Sequence, residues 1–404
     1  MRDPLYQKIL EGLEGPLDRD LFEECVVDLL RDAFPTLTPI HGGRDAGMDG
    51  AIADGEGEPY PLIVTTDQSP IRNLKKSLAS YRAEKGDRAR SRIVFATSRE
   101  LSPPRRRNLE DRAQEKGFSL VQIFERRGLA NRLYRDPGWR KQLLGLTGEP
   151  PALSAVPRTR RPLLELEPVG RAADLEWLRT TQGDGLLYGE PGSGKTFLLL
   201  QLVREGRALF LASEDWAEIA DAIREQQPGI VIVDDAHLDP GQLDRLRQVR
   251  QDIDAEFEIL ATCWLGERDQ VAAALGGPAE KNMHRLELLT RKEIWEVLAR
   301  AGVRATNRHV EELIDQSANK PGLAVTLASL WLRGEWRDVL TGQALRRSLI
   351  GSLTSVLGGE DPTLLLASFA LGGDRGMTLD LVAEATGWNR AQVWDLAVRR
   401  IAAS

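Results

Sequence analysis

With only two cysteines in 404 residues, Cys25 and Cys263, the chain has no basis for a disulfide framework. Both lie in apolar stretches far apart in sequence, so they read as small buried hydrophobes in a reducing compartment, and a zinc site is not expected. No apolar run is long enough to span a bilayer, so no membrane partner is expected. The opening stretch, MRDPLYQKILEGLEGPLDRD, is charged and has no apolar h-region, which points to a cytoplasmic chain without a secretory signal. Excess basic charge is missing too: 54 Lys and Arg against 61 Asp and Glu leave a net charge of −7. A protein that coats nucleic acid over its whole surface is basic, so any nucleic-acid contact here must be local. Basic runs do occur at 103–112 (PPRRRNLEDR), 157–162 (PRTRRP) and 396–401 (LAVRRI). For each run alone, a solvated face or linker is the simpler reading. Internal repeats and low-complexity tracts are also absent.

What is present is 42% hydrophobic residues and a length beyond one ordinary core, which predicts two or three domains. The proline-rich, aperiodic GEPPALSAVPRTRRP, residues 148–162, predicts a linker after an N-terminal unit of residues 1–147. In that unit the apolar stripe Leu21, Phe22, Cys25, Val26, Leu29, Leu30, Ala33 and Phe34 predicts a helix. A glycine-punctuated loop at 42–50 and strands at 51–53 and 62–66 follow. Helices around 73–82 and 107–116 then alternate with the strands RIVFATS and FSLVQIF. This alternation predicts an α/β sandwich. Farther on, GLLYG, ALFLAS, GIVIVDD, FEILATC and HRLELL predict a five-stranded parallel sheet at 163–290, covered by helices on both faces. Helices at 291–338 and a helix–turn–helix-like segment at 339–404, with Gly387 at its turn, complete the layout.

GEPGSGKT matches the phosphate-binding loop G-x-x-x-x-G-K-[ST], running through Gly189, Glu190, Pro191, Gly192, Ser193, Gly194, Lys195 and Thr196. A strand precedes it and the apolar FLLLQLV follows, as that motif requires. Its glycines let backbone N–H groups turn toward phosphate, and the next helix adds the positive end of its dipole. Lys195 is placed to neutralise the β- and γ-phosphates of ATP or ADP, and Thr196 to hold Mg2+. At the end of the strand IVIVDDAH, Asp234 is placed to hold the magnesium through water, and Asp235 to orient or polarise the attacking water. His237 either contacts the γ-phosphate or packs locally. Thr262 is either a γ-phosphate sensor or a plain strand-end threonine.

EPVGRAADLEWLRT, IVIVDDAH, EILATCW and NKPGLAVTLASL together resemble the STAND class of P-loop NTPases, which includes the NACHT and NB-ARC proteins. The resemblance covers roughly the last three-fifths of the chain. It implies that Val169 to Arg171 lies near the adenine and that Pro321 closes the nucleotide pocket from a helical lid. It also implies a winged helix over 339–404 that clamps the ADP state. Members act as slow switches between closed and self-associating forms. In the family the winged helix normally continues into a β-wing and a sensor domain, whereas this sequence stops at RRIAAS. The activating ligand or sensor protein, and the source of any arginine finger (Arg268, Arg291 or a neighbouring subunit), are not legible.

Near the start, LIVTTDQSP reads as a buried strand ending in polar residues, after a loop that carries Asp45 and Asp49. Acidic groups on neighbouring short strands are what a metal-dependent nuclease needs, because Mg2+ polarises a phosphodiester and lowers the pKa of a water. A nearby lysine commonly stabilises charge in such a transition state. LFEECVVDLL, GGRDAGMDGAI, LIVTT, RIVFATSRELS and LVQIFERRGLANRL resemble, in order, the Mrr-like branch of the restriction-endonuclease-like fold. That resemblance implies that Asp49 is the metal-binding aspartate, with Glu23 as a further ligand. The family's carboxylate-x-Lys falls here on Thr65, Thr66 and Asp67. Asp67 then offers a metal ligand, Gln68 or Lys75 and Lys76 stand in for the lysine, Asp45 supports the turn and His41 is structural.

Joined together, these parts resemble bacterial antiphage STAND proteins in which an ATP switch controls a DNA-cutting domain. Two further readings remain. In one, the N-terminal unit is an inactive DNA-binding or interaction module. In the other, the chain is a transcriptional regulator reading DNA through Arg390, Gln392, Arg399 and Arg400, with Val393, Trp394, Leu396 and Ala397 facing a core.

Overall fold

The computed structural model describes residues 3–40, 47–53, 58–158, 167–303, 305–332, 336–343 and 378–396. Asp45, His41, Arg399, Arg400, Ala397 and most of the winged-helix segment lie outside these residues. The chain divides into two compact units, Met1–Gly334 and Glu335–Ser404.

The first unit starts with α1 (Pro4–Glu14) and α2 (Arg19–Leu29). Sequence reading located α2 but not α1, whose charged composition hides an i, i+4 apolar stripe of Leu5, Ile9 and Leu13. Asp3 caps α1 by accepting the Tyr6 N–H, and Pro4 fits the first turn because its nitrogen has no hydrogen to leave unpaired. Strands β1 (Leu37–Pro39), β2 (Gly50–Ile52), β3 (Tyr60–Thr65), β4 (Arg92–Thr97) and β5 (Ser119–Phe124) form a sheet in that order. The first three pair antiparallel and the last three parallel.

All six residues of β3 are buried, because helices cover both of its faces. Leu62 and Val64 join the core formed with α1, α2 and α5 (Arg126–Arg135). Ile63, pointing the other way, joins the core beneath α3 (Pro70–Lys85) and α4 (Pro103–Glu115). The result is an α/β/α sandwich, and α6 (Pro137–Leu144) ends it.

The predicted linker is not a free tether. Residues 152–156 are buried, and β6 (Leu153–Ser154) pairs antiparallel with β8 (Ala208–Leu211) at the edge of the second sheet. The Tyr134 hydroxyl donates to Asp3 Oδ2 at 2.6 Å, and the Ala155 N–H donates to the same oxygen at 3.0 Å. Proline and small residues looked like a tether, but the run Ala-Leu-Ser-Ala-Val has apolar bulk enough to be an edge strand.

The second sheet has six strands rather than five, ordered β11-β7-β10-β9-β8-β6. Five are parallel: β7 (Gly185–Gly189), β8, β9 (Ile230–Val233), β10 (Glu258–Cys263) and β11 (Met283–Leu286). Around them lie α7 (Ala172–Thr180), α8 (Lys195–Arg204), α9 (Trp216–Gln226), α10 (Gly241–Asp252) and α11 (Arg268–Ala274). Both cysteines are buried and unpaired, as read from the sequence, and burial pushes the Cys263 thiol up to about 12.

Three helices follow: α12 (Arg291–Arg300), α13 (Asn307–Ser317) and α14 (Pro321–Leu332). Thr290 and Glu293 form a reciprocal capping box at the start of α12. Thr290→Ala is therefore expected to lower the stability of the first unit by about 1 kcal/mol, read as a shift of its urea midpoint with unchanged slope.

In the second unit the described elements are α15 (Trp336–Leu340), α16 (Leu379–Thr386) and α17 (Arg390–Leu396), with Gly387 at φ +75° between the last two. Asn389 and Gln392 each accept the other's backbone N–H at 2.9 Å, closing the start of α17. Val393 is buried as expected, but Trp394 is 60% exposed. Adjacent helical positions point about 100° apart, so the two do not share one core face.

Candidate functional site

The loop between β7 and α8 bends through Gly192 at φ +82° and Gly194 at φ +99°, backbone that only glycine adopts without strain. Lys195 is buried, and its Nζ donates to the carbonyls of Gly189 at 3.0 Å and Glu190 at 3.1 Å. Ser193 Oγ is buried with no hydrogen-bond partner, an orphaned polar atom inside the loop.

Opposite the loop, Thr196 Oγ1 donates to Asp234 Oδ2 at 2.8 Å, and Thr262 Oγ1 donates to Asp234 Oδ1 at 2.7 Å. The Asp235 N–H in turn donates to Thr262 Oγ1 at 2.8 Å. Thr262, one residue before the end of β10, thus bonds to both the Asp234 carboxylate and the Asp235 backbone. Burial and the neighbouring Asp235 push the Asp234 carboxyl above its usual value, while bonds from Thr262 and Thr196 and the Lys195 charge pull it down. Asp235 sits in the left-handed region at φ +51°, which aspartate tolerates better than most residues. His237 packs on Trp264, with ring centroids 4.4 Å apart.

The second rim comes from both sides in sequence. Val169 and Arg171 are buried, and Arg171 donates to the Ser193 carbonyl at 2.9 Å and to Asp174 at 3.3 Å. Burial depresses the Arg171 guanidinium, so this side chain braces the loop through fixed hydrogen bonds. From the lid, the Gly322 N–H donates to the Gly192 carbonyl at 2.9 Å, and Lys320 pairs with Glu190 at 3.0 Å. Pro321 lies between them: a side chain at Gly194 would meet Pro321 Cγ at 3.5 Å.

The sequence singled out Pro321 but not its neighbours Lys320 and Gly322, which bond to Glu190 and Gly192. The only signal was a glycine after the proline in NKPG. Arg268 pairs with Glu280 and lies over the Tyr188 ring, and Arg291 pairs with Glu311 and Asp315 on α13.

The three nuclease candidates each have a local partner. Asp49 Oδ2 accepts the Val64 N–H at 2.6 Å, tying the carboxylate to β3. Glu23 pairs with Arg19 at 2.7 Å, and Asp67 accepts from Asn73 at 3.4 Å. Among the described residues, no group of three or more His, Cys, Asp or Glu side chains is placed to hold a metal ion.

No protein-family model and no curated protein sequence matches the chain. Among solved structures it is similar to the ORC1 protein of Aeropyrum pernix in complex with DNA, at 14% identity and TM-score 0.37, covering 57% of this chain and 82% of that one. A Walker-type ATPase of Pyrococcus abyssi shows 13% identity and TM-score 0.39, covering 60% and 92%. A RuvB mutant of Thermotoga maritima shows 17% identity and TM-score 0.36, covering 59% and 88%. The class rests on the site itself. A phosphate loop between β7 and α8, with a strand carrying Thr262 between β7 and the Asp234 strand, makes this part a P-loop NTPase fold. Among the described residues, no helix is long and apolar enough to cross a membrane.

Proposed function

We propose that the chain is an ATP-dependent switch of the STAND type whose N-terminal sandwich is a DNA-directed effector, in keeping with the antiphage proteins its sequence resembles. The observation that carries this reading is α14. Its first turn touches the phosphate loop through the Gly322–Gly192 hydrogen bond, and its last residue accepts the Tyr60 hydroxyl at 3.3 Å. Leu332 is also buried in the core of the N-terminal sandwich. Tyr60 begins β3, the strand that ends at Thr65 and leads to Asp67. One helix therefore joins the nucleotide site to β3, the strand that leads to Asp67 and whose Val64 N–H holds Asp49.

The orphaned Ser193 Oγ, the glycine bends and Lys195 fit a bound polyphosphate. Thr196 and Asp234 would hold Mg2+, which supplies charge neutralisation for the phosphates. Asp235 positions water, Thr262 holds Asp234 and the Asp235 backbone in register, and Lys320 with Pro321 covers the loop. On this reading self-association accompanies lid opening.

In the effector, Asp49, Asp67 and Glu23 are the candidate metal ligands. Their separate local partners favour a second reading, a non-cleaving DNA-binding module. A plasmid-cleavage assay with Mg2+ or Mn2+, with and without ATP, distinguishes the two. The nuclease reading expects cleavage that disappears in Asp49→Ala and changes its ATP dependence in Lys195→Ala. DNA binding without cleavage in either metal, with ATP binding intact, would favour the module.

A further inference from the structure

Helices α3 and α4 lie on the same face of the N-terminal sheet, sharing the core that contains Leu74, Leu78, Leu109 and Ala113. In a chain of net charge −7, α3 carries Arg72, Lys75, Lys76, Arg82 and Lys85 against Glu84 alone. Most basic side chains nearby are paired: Lys85 with Glu58 at 3.6 Å, Arg106 with Glu125 at 3.3 Å and Arg112 with Glu115 at 2.8 Å. Arg72, Lys75 and Lys76 on α3, with Arg105 and Arg107 on α4, are exposed, and their side chains make no ion pair or hydrogen bond among the described residues. All five fall in the first half of their helices. The acids of α4 (Glu110, Asp111 and Glu115) fall in its second half.

Unpaired like charges held together repel one another. One of them, Arg105, lines a cleft of about 480 Å³ at the carboxyl ends of β3 and β4, together with Gln68, Ser69, Arg99, Arg126 and the acidic Glu14 and Glu100. Arg126 is held there by Glu14 and Glu100, both at 2.6 Å, and Arg99 donates to the Thr66 carbonyl at 2.8 Å. The cleft thus opens beside Asp67.

We propose that the α3–α4 face docks the phosphate backbone of a nucleic-acid duplex and leads it to this cleft. The inference rests on the DNA-directed reading above and specifies its surface. The pattern of side chains selects the ligand. The exposed large apolar residues of the described chain are Leu238, Trp264, Leu265, Trp295 and Trp394, none of them on α3 or α4. A membrane-surface helix presents such anchors beside its cations, and this face has none. Single-strand binders stack bases on exposed aromatic rings, and the one aromatic residue of α3, Tyr81, is buried. Cations alone, spread along a helix, suit the regular charge of a duplex, about one per 1.7 Å of its axis.

The test is fluorescence anisotropy of the full chain with a labelled DNA duplex in EDTA, across a range of KCl. The comparison variant carries R72Q, K75Q, K76Q, R105Q and R107Q, and a control carries K281Q, K292Q and R308Q. Each phosphate contact contributes about 0.9 to the slope of log affinity against log salt. The five-residue variant should therefore have a slope shallower by about 3 or more, with unchanged melting temperature and ATP binding, while the control keeps the original slope. An unchanged slope in the five-residue variant overturns the surface but leaves the DNA-directed reading standing. No duplex binding by the unmutated chain, with ADP or ATP, overturns both. Preferential binding to vesicles containing phosphatidylserine, lost in the same variant, overturns the duplex assignment in favour of a membrane. A duplex-RNA arm run in parallel shows which backbone is preferred.

Discussion

Lys195→Ala is expected to abolish measurable ATP binding, whereas Thr262→Val should leave binding within a few-fold and lower turnover by about 10²-fold. The two residues lie in one site but do different work. Lys195 brings a buried cation to the loop, where it already bonds two carbonyls, and alanine removes both bonds together with the charge. Thr262 makes its hydrogen bonds to the Asp234–Asp235 turn instead. Its hydroxyl donates to Asp234 and accepts from the Asp235 backbone. Valine keeps the shape but removes both bonds, leaving a part-buried N–H without its partner at a cost of about 1 kcal/mol.

A pH signature follows from the same contacts. Burial and Asp235 already raise the Asp234 carboxyl, and the Thr262 bond opposes that rise. Without the bond Asp234 holds its proton to higher pH. The acid limb of the ATPase profile, where Asp234 becomes protonated and loses its charge, should then move upward in Thr262→Val. Calorimetric ATP titration, phosphate release and the pH profile read the three effects separately. A Thr262→Val protein that loses ATP binding as completely as Lys195→Ala would show Thr262 to be a support of the loop rather than part of the hydrolytic geometry.

The legible parts of this protein are those in which a local pattern determines the outcome. The phosphate loop is readable because glycine is needed at φ +82° and +99°, and Lys and Thr follow at fixed spacing. The parallel strands are readable because burial on both faces leaves nearly unbroken apolar runs such as IVIV. The edge strand β6 was hidden, since its two residues depend on β8, more than fifty positions away. Arg171 bracing Ser193 and Lys320 pairing Glu190 are likewise products of long-range packing, and a single arginine or lysine carries no pattern of its own. The candidate residues of the N-terminal sandwich stand between these cases. The strand ending at Thr65 was visible, but what Asp49 and Glu23 touch depends on how α2, β2 and β3 come together.

The largest stability effect is expected at Gly302, just beyond α12. Its φ is +93°, and an added Cβ would lie 2.1 Å from the Val121 carbonyl oxygen on β5. Val121 falls where the β4–β5 register shifts, between the pairs Ile93–Leu120 and Val94–Gln122. There the extra residue of a bulge is left out of the ladder, and the lid approaches its backbone too closely for any side chain. Alanine must both adopt an unfavourable backbone and push the lid off the N-terminal sandwich. The expected loss is about 3 kcal/mol, seen as a fall of about 5–10 °C in the melting temperature of the first unit. Gly277 supplies the control, because its φ is +73° but an added Cβ meets nothing within 4 Å. Gly277→Ala should cost only the backbone term, about 1 kcal/mol. Hydrogen exchange locates the difference: Gly302→Ala should speed exchange in β5 and the end of α12, and Gly277→Ala should not. Equal losses in the two variants, with β5 equally protected, would mean that the lid does not bear on the sandwich at this point. The link from the phosphate loop to the N-terminal sandwich would then rest on the Tyr60–Leu332 end of α14.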